Sequence, residues 1–332
     1  MGTVALFLGA FVLALAALSK FYMYNQVAVV PLNNQSTTIL ATVPGAPAEY
    51  LDAAAGLKTV KGPLKSIQLV TGDVKLSKQA SKELGRDVAV WTDYNCTDAP
   101  GFNCASGETP LSATTDLVAF DVRTGESVAW KGTKNEANGV VTSPMAYEGL
   151  FYKFPFDTQK KTYMWYDTTL HKATPAKYVG EGTVKGMKVY KFVQTIAPIK
   201  TGSIDVPGSL VGSDKTTVTA DEIYSDVRSF SIEPVTGAPF GVTDSQDTYL
   251  EVDGVRGATL TKASLKMTPA SVQALKDQYG SKITQLKAVK TWLPVGGTLL
   301  GLVLIGLGAL TRRGGNTDNP RKADKGELVG SR

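Results

Sequence analysis

Both ends of this 332-residue chain are apolar, and that limits what can lie between them. Gly2 to Leu18 (GTVALFLGAFVLALAAL) and Leu293 to Leu310 (LPVGGTLLGLVLIGLGAL) carry no charged side chain. At about 1.5 Å per helical residue, each run is long enough for a hydrocarbon core of about 30 Å. A buried helix of a water-soluble domain usually keeps a polar face, and neither run has one. Two membrane spans are therefore expected, at 2–18 and 293–310. Arg312, Arg313, Arg321, Lys322, Lys325 and Arg332 follow the second run, against Asp318, Asp324 and Glu327. The positive-inside rule puts that basic tail, 311–332, in the cytoplasm and the long middle of the chain outside. Phe21, Tyr22 and Tyr24 after the first run, and Trp292 before the second, suit one outer interface. Ala14-Leu15-Ala16 would suit a signal peptidase, but no basic stretch precedes it, so an uncleaved anchor is expected.

Small residues punctuate both runs. Gly297 and Gly301 form a GxxxG, and Ala10 with Ala14 offers a matching small face. Such faces let helices approach closely, although glycine is also common in membrane helices for other reasons. The pattern admits pairing of the two spans or docking on another membrane protein.

Charge and cysteine usage narrow the chemistry. The net charge is +5, of which the tail supplies +3, so the outside segment is close to neutral. A near-neutral surface outside the membrane excludes nucleic acid as a partner. The two cysteines, Cys96 and Cys104, lie in YNCTDAPGFNCASG, a turn-rich loop that an oxidising compartment would close as a disulfide. With a single histidine, His171, there is no ligand set for zinc. His171 is not accompanied by GxSxG, and no phosphate loop or HExxH occurs. Asp221, Glu222, Asp244 and Asp247 could pair as acid and base, but isolated carboxylates are usually just solvated. No enzyme activity, cofactor or metal is expected.

The outside segment reads as mainly β, a large antiparallel sandwich, curled sheet or barrel-like domain between two transmembrane helices. Its boundaries are a stalk or lead-in at 20–55, a β domain at 56–267 and a juxtamembrane helix at 268–292. KSIQLVTGDVKLS alternates around Thr71-Gly72-Asp73, and DLVAFDVRTGESVAW turns at Arg123-Thr124-Gly125-Glu126. Further turns are expected at Lys185-Gly186, at Glu233 to Gly237 and at Asp253-Gly254. Thr268 and Pro269 open a helix in which Val272, Leu275, Tyr279, Ile283, Leu286 and Val289 form one apolar stripe.

One stretch stands apart: FYKFPFDTQKKTYMWYD, Phe151 to Asp167, holds seven aromatic residues. It reads as a hairpin with a lysine-bearing turn, Tyr152, Phe154 and Phe156 on one face and Pro155 at an edge or bulge. Core packing and a ligand groove are both open readings of those rings. Tyr152, Phe154, Phe156, Lys160, Lys161, Tyr163, Trp165 and Tyr166 are the residues such a groove would use.

The same region resembles a family of envelope proteins of mycolic-acid-making actinobacteria, labelled the porin PorA family and including polar growth factor A-like proteins. The motifs are Tyr163 to Asp167, Tyr178-Val179-Gly180-Glu181, Tyr190-Lys191-Phe192, and Glu233-Pro234 with Thr236-Gly237. The resemblance implies a role in envelope assembly and polar growth, with trehalose mycolates handled beside a mycolate-exporting transporter. It brings no catalytic residues. The label porin sits uneasily with two helices, which enclose no pore. The expected function is thus a plasma-membrane protein whose outer β domain binds or guides an envelope lipid, a trehalose mycolate or a phospholipid. A ligand-free scaffold recruiting a transporter or cell-wall machinery is the alternative, and a porin or an enzyme stands third.

Overall fold

The computed structural model describes residues 2–52, 55–137 and 139–313. Most of the basic tail, with Arg321, Lys322, Lys325, Arg332, Asp318, Asp324 and Glu327, lies outside the described residues. Two compact units emerge: the chain up to Val27 together with the chain from Thr284, and Ala28–Ile283. The helices are α1 (Gly2–Leu18), α2 (Tyr24–Val27), α3 (Val74–Leu84), α4 (Pro269–Lys287) and α5 (Leu293–Arg313).

In the first unit α1 and α5 pack antiparallel, with Gly2 against Gly308, Gly9 against Gly301 and Ala16 against Gly297. Gly2, Gly9 and Ala16 recur every seven residues, and so do Gly301 and Gly308, which keeps small side chains on one 3.5-residue seam. A Cβ on Gly9 would stand 2.8 Å from the Gly301 carbonyl oxygen, so the backbones are nearly in contact. Ser19 Oγ donates to the Val289 carbonyl at 2.9 Å. Gly297 and Gly301 lie on the seam, but Ala10 and Ala14 are exposed and Gly9 and Ala16 take the facing places. The reason is angular: Ala10 sits about 100° around the helix from Gly9. The outward face is apolar, with Phe7, Phe11, Leu299, Val303 and Leu310 all exposed. Both helices are long and apolar enough to cross a membrane.

The second unit holds 14 strands among the described residues. They are β1 (Gln35–Thr42), β2 (Ala48–Asp52), β3 (Lys58–Gly62), β4 (Lys65–Gly72), β5 (Val88–Asp98), β6 (Ser112–Asp121) and β7 (Lys134–Ala137). Then come β8 (Val140–Thr142), β9 (Tyr163–Asp167), β10 (Lys172–Val184), β11 (Met187–Pro207), β12 (Thr217–Ile232), β13 (Pro239–Val252) and β14 (Val255–Met267). The order β8-β7-β6-β5-β4-β1-β14-β13-β12-β11-β10-β9 is antiparallel throughout, and β2 pairs with β14 and β3. The expected turns at Lys185-Gly186, Glu233 to Gly237 and Asp253-Gly254 do join β10–β11, β12–β13 and β13–β14.

β6, near one end of that path, and β9, at the other, are joined by short bridging segments. Phe120 on β6 bridges Ser127, Glu126 bridges Leu150, and Leu150 bridges Trp165 on β9. Ser127 N donates to Gly149 O, Leu150 N to Met164 O and Tyr166 N to Leu150 O, each at 2.8 Å. The sheet therefore curls round and is closed at this end by main-chain hydrogen bonds, which leaves less open edge.

Three expectations change. The lead-in is no stalk: its Ser/Thr-rich part forms β1, hydrogen-bonded between β4 and β14. Thr71-Gly72-Asp73 is no hairpin turn, because Asp73 caps α3 by accepting from Leu76 N at 2.8 Å, and Gly85 ends the helix at φ 65°. Phe151 to Phe156 is not a strand, and β9 pairs with β10 instead. Pro155 has no amide to give to a ladder, and the Phe154 and Phe156 amides go to the Gly237 and Arg123 carbonyls. At its first turn α4 has Thr268 Oγ1 accepting from Ser271 N at 3.3 Å, and Val272, Leu275, Tyr279 and Ile283 pack on Leu40, Phe240 and Met267.

The glycine seam generates a paired prediction. Gly9→Leu should weaken the α1–α5 pair by about 1–3 kcal/mol through overpacking, whereas Ala10→Leu on the outer face should be nearly neutral. Thermal unfolding of the full chain in micelles, compared for the two variants, checks this.

Candidate functional site

The segment Leu150–Phe156 lies between the two walls of the curled sheet and touches both. On the β5–β6 side, Tyr152 packs against Trp91 and Phe120, with ring centroids 5.3 and 5.2 Å away, and its hydroxyl donates to the Trp91 carbonyl at 2.7 Å. Phe151 packs beside Tyr147 and Tyr166 near Val118. On the β9–β12 side, Phe154 lies 4.6 Å from Phe192, 5.4 Å from Trp165 and 5.8 Å from Phe230. Gly237 lets the backbone pass so close to the Phe154 carbonyl that no Cβ would fit, and its φ of 74° favours glycine independently.

Each wall also carries buried charge. On the first, Asp93 accepts from Gln68 at 2.8 Å, and Asp116 accepts from Asn135 at 2.8 Å and from Tyr147 at 2.7 Å. Burial pushes the Asp93 carboxyl up to about 7, against the Gln68 bond, and burial likewise raises Asp116. On the second, Arg228 reaches three carboxylates: Asp244 at 2.6 Å, Asp226 at 3.3 Å and Asp167 at 3.6 Å. Asp167 also accepts from Tyr224 at 3.0 Å, and Gln194 Nε2 donates to the Trp165 carbonyl at 2.8 Å. Burial, then the Asp244 charge, raises Asp226 to about 8. Burial works against the Arg228 charge, but Asp244, Asp226 and Asp167 hold its pKa above the ordinary arginine range. Neither oxygen of Asp226 accepts a hydrogen bond among the described residues. Sequence reasoning could not find this array, because its members lie on β5, β6, β9, β12 and β13 and meet only through the register.

The residues singled out from sequence fall into two groups. Phe154, Tyr163, Trp165 and Tyr166 are buried, and Tyr152 and Phe156 are half-buried in the packing around Trp91. Lys160 and Lys161 are exposed; Lys160 pairs with Glu181 and Lys161 lies over the Tyr163 ring at 5.3 Å. The rings thus pack against one another and against the walls rather than along one open groove. Cys96 and Cys104 form a disulfide. His171 is exposed in the turn between β9 and β10. Asp221, Asp244 and Asp247 are ion-paired with Lys200, Arg228 and Arg256, not with one another. Among the described residues no group of histidine, cysteine, aspartate or glutamate is arranged to hold a metal.

Comparison with known proteins adds what geometry alone does not. A family model described as Porin PorA matches residues 1–310. A protein named Porin PorA from Corynebacterium resistens is 29% identical over 136 residues, which is 37% of this chain and 33% of the relative. Another Porin PorA, from Corynebacterium amycolatum, is 26% identical over 205 residues, 48% of this chain and 53% of the relative. The matched stretches thus span between a third and about half of these relatives' length. Both relatives are named as porins and neither as an enzyme. Those names overturn the expectation of an envelope-lipid carrier, with its trehalose mycolate ligand, and do not fit a ligand-free scaffold either. The buried rings supply the physical reason why an aromatic-rich stretch misled.

Two predictions follow from the packing and the charges. Phe154→Ala should cost about 3–5 kcal/mol of stability, read from the denaturation midpoint of the full chain. Asp93 and Asp226 are raised above the unfolded carboxylate value, so the folded chain holds more protons than the unfolded one between about 4 and about 7 to 8. Their contribution to stability is complete below about pH 4 and is lost as pH rises through that window. Chemical denaturation should therefore show a more stable β unit at about pH 5 than at about pH 8, and Asp226→Asn should flatten that slope.

Proposed function

The chain belongs to the porin PorA family, and on that premise we propose that it is a channel-forming porin anchored in the cell envelope by its two terminal helices. The observation that carries this reading is the family match over residues 1–310, which takes in α1, the whole sheet and nearly all of α5. Physical chemistry then limits how a passage can form. Only helices and closed barrels satisfy their backbone in hydrocarbon. The outer faces of the strands carry charged pairs, among them Lys200–Asp221, Arg256–Asp247 and Lys188–Glu181, which a lipid-facing barrel would not tolerate. Crossing therefore falls to α1 and α5. Two helices packed glycine to glycine leave no lumen between them. The conducting unit is thus several copies, whose helix pairs together enclose the passage.

With two spans, the segments flanking them toward the termini share one side of the membrane and the connecting chain the other. Arg312, at the end of α5, and the basic tail support a cytoplasmic side for the ends by the positive-inside rule. The disulfide suits an outer, oxidising location for the sheet.

Reconstitution of the purified full chain into planar lipid bilayers tests the proposal. Discrete conductance steps that grow in number with protein are expected. Silent membranes, with insertion of the chain verified by protease protection of its ends, would overturn it.

A further inference from the structure

Lys153 stands in the middle of the bridging segment, and the channel reading makes no use of it. Its side chain is 7% exposed, and its Nζ makes no hydrogen bond among the described residues. The favourable contact it has is the Phe156 ring, whose centroid is 3.7 Å away. Two charged groups face it: Asp121 at the end of β6 and Glu233 just after β12. Both are already engaged. Asp121 accepts from Arg86 at 2.6 Å and from the Arg123 and Thr124 amides. Glu233 accepts from the Val235 and Thr236 amides and from the Thr236 hydroxyl. Arg123 in turn pairs with Asp87 at 2.9 Å. An ammonium at this position is therefore desolvated without donors being satisfied, which is costly, whereas a neutral amine is tolerated.

The segment that carries Lys153 is held by few main-chain bonds: Leu150 N to Met164 O and Tyr166 N to Leu150 O, each at 2.8 Å, Phe154 N to Gly237 O at 2.9 Å and Phe156 N to Arg123 O at 3.4 Å. It has no strand or helix of its own, yet it joins β6 to β9 and fills the space between the walls. We propose that Leu150–Phe156 is a releasable strap across the curled sheet, kept in place by the uncharged Lys153 amine and loosened when that amine takes up a proton. The inference does not depend on the channel reading, since it concerns the β unit alone.

The direction of the switch follows from linkage. Burial lowers the Lys153 amine to about 7, with Asp121 and Glu233 opposing. In the released strap the amine returns to about 10.4. Release is then favoured about tenfold for each pH unit of fall between those values, and levels off below about 7. Asp93, Asp116 and Asp226, raised by burial, act in the opposite sense, favouring the closed form at low pH. A variant lacking only the amine separates the two contributions.

Hydrogen exchange read by mass spectrometry on the full chain in micelles, at pH 6 and pH 9 and corrected for intrinsic exchange, tests the strap. From pH 9 to pH 6, protection of peptides covering 150–156 should fall roughly hundred-fold further in the natural chain than in Lys153→Met. Lys153→Met, which keeps the aliphatic stem, should leave only the carboxylates' dependence, with protection at pH 6 equal to or stronger than at pH 9. The same pH dependence of protection in the natural chain and in Lys153→Met would overturn the proposal. Acrylamide quenching of tryptophan fluorescence, to which Trp91 and Trp165 on Tyr152 and Phe154 contribute, gives a second readout when the natural chain is compared with Lys153→Met. Quenching that rises toward pH 6 more in the natural chain than in Lys153→Met supports release, and the same pH dependence in both contradicts it.

Discussion

The Phe154 ring is the contact on which the β unit most depends. It is fully buried among Tyr163, Trp165, Phe192 and Phe230, and so pins an irregular segment to three strands, β9, β11 and β12. That segment in turn joins β6 to β9. Without it both strands would end in unpaired donors and acceptors, and the walls would lose the aromatic layer between them. Burial of one aromatic side chain thus stabilises a closure made by main-chain hydrogen bonds. This coupling explains why so many rings are concentrated in so short a stretch.

Beside the aromatic layer the walls bury carboxylates with few counter-charges. Three of them surround Arg228, while Asp93 and Asp116 rely on neutral donors. Such groups stabilise little by themselves, because desolvation offsets most of the attraction. What they do supply is a dependence of stability on pH, with carboxyls and the Lys153 amine acting in opposite senses. The β unit is therefore poised against pH by design of its interior rather than of its surface.

Legibility in the sequence followed the range of the interaction. Turns at Lys185-Gly186 and Asp253-Gly254 were readable because a hairpin is local. The apolar runs and the α4 stripe were readable because one helix carries the whole signal. The α1–α5 seam was half readable: Gly297 and Gly301 stand out, but the seven-residue spacing of Gly2, Gly9 and Ala16 gains meaning only opposite a partner. β1 was hidden by its Ser and Thr residues, which suit a linker as well as a strand. The stretch around Phe154 misled most. Its alternation resembles a strand, yet Pro155 and the amides taken by Gly237 and Arg123 make it a bridge. The interior charges were invisible because strands far apart along the chain bring them together.

On the proposed channel reading, a chain with two packed helices forms a passage as an assembly of several copies. Copy number is therefore the property to count. Single-molecule photobleaching of the labelled full chain, counted at spots that conduct in a planar bilayer, tests it most directly. Several bleaching steps at every conducting spot are predicted. Conduction from spots that bleach in one step, with labelling complete, would contradict the account.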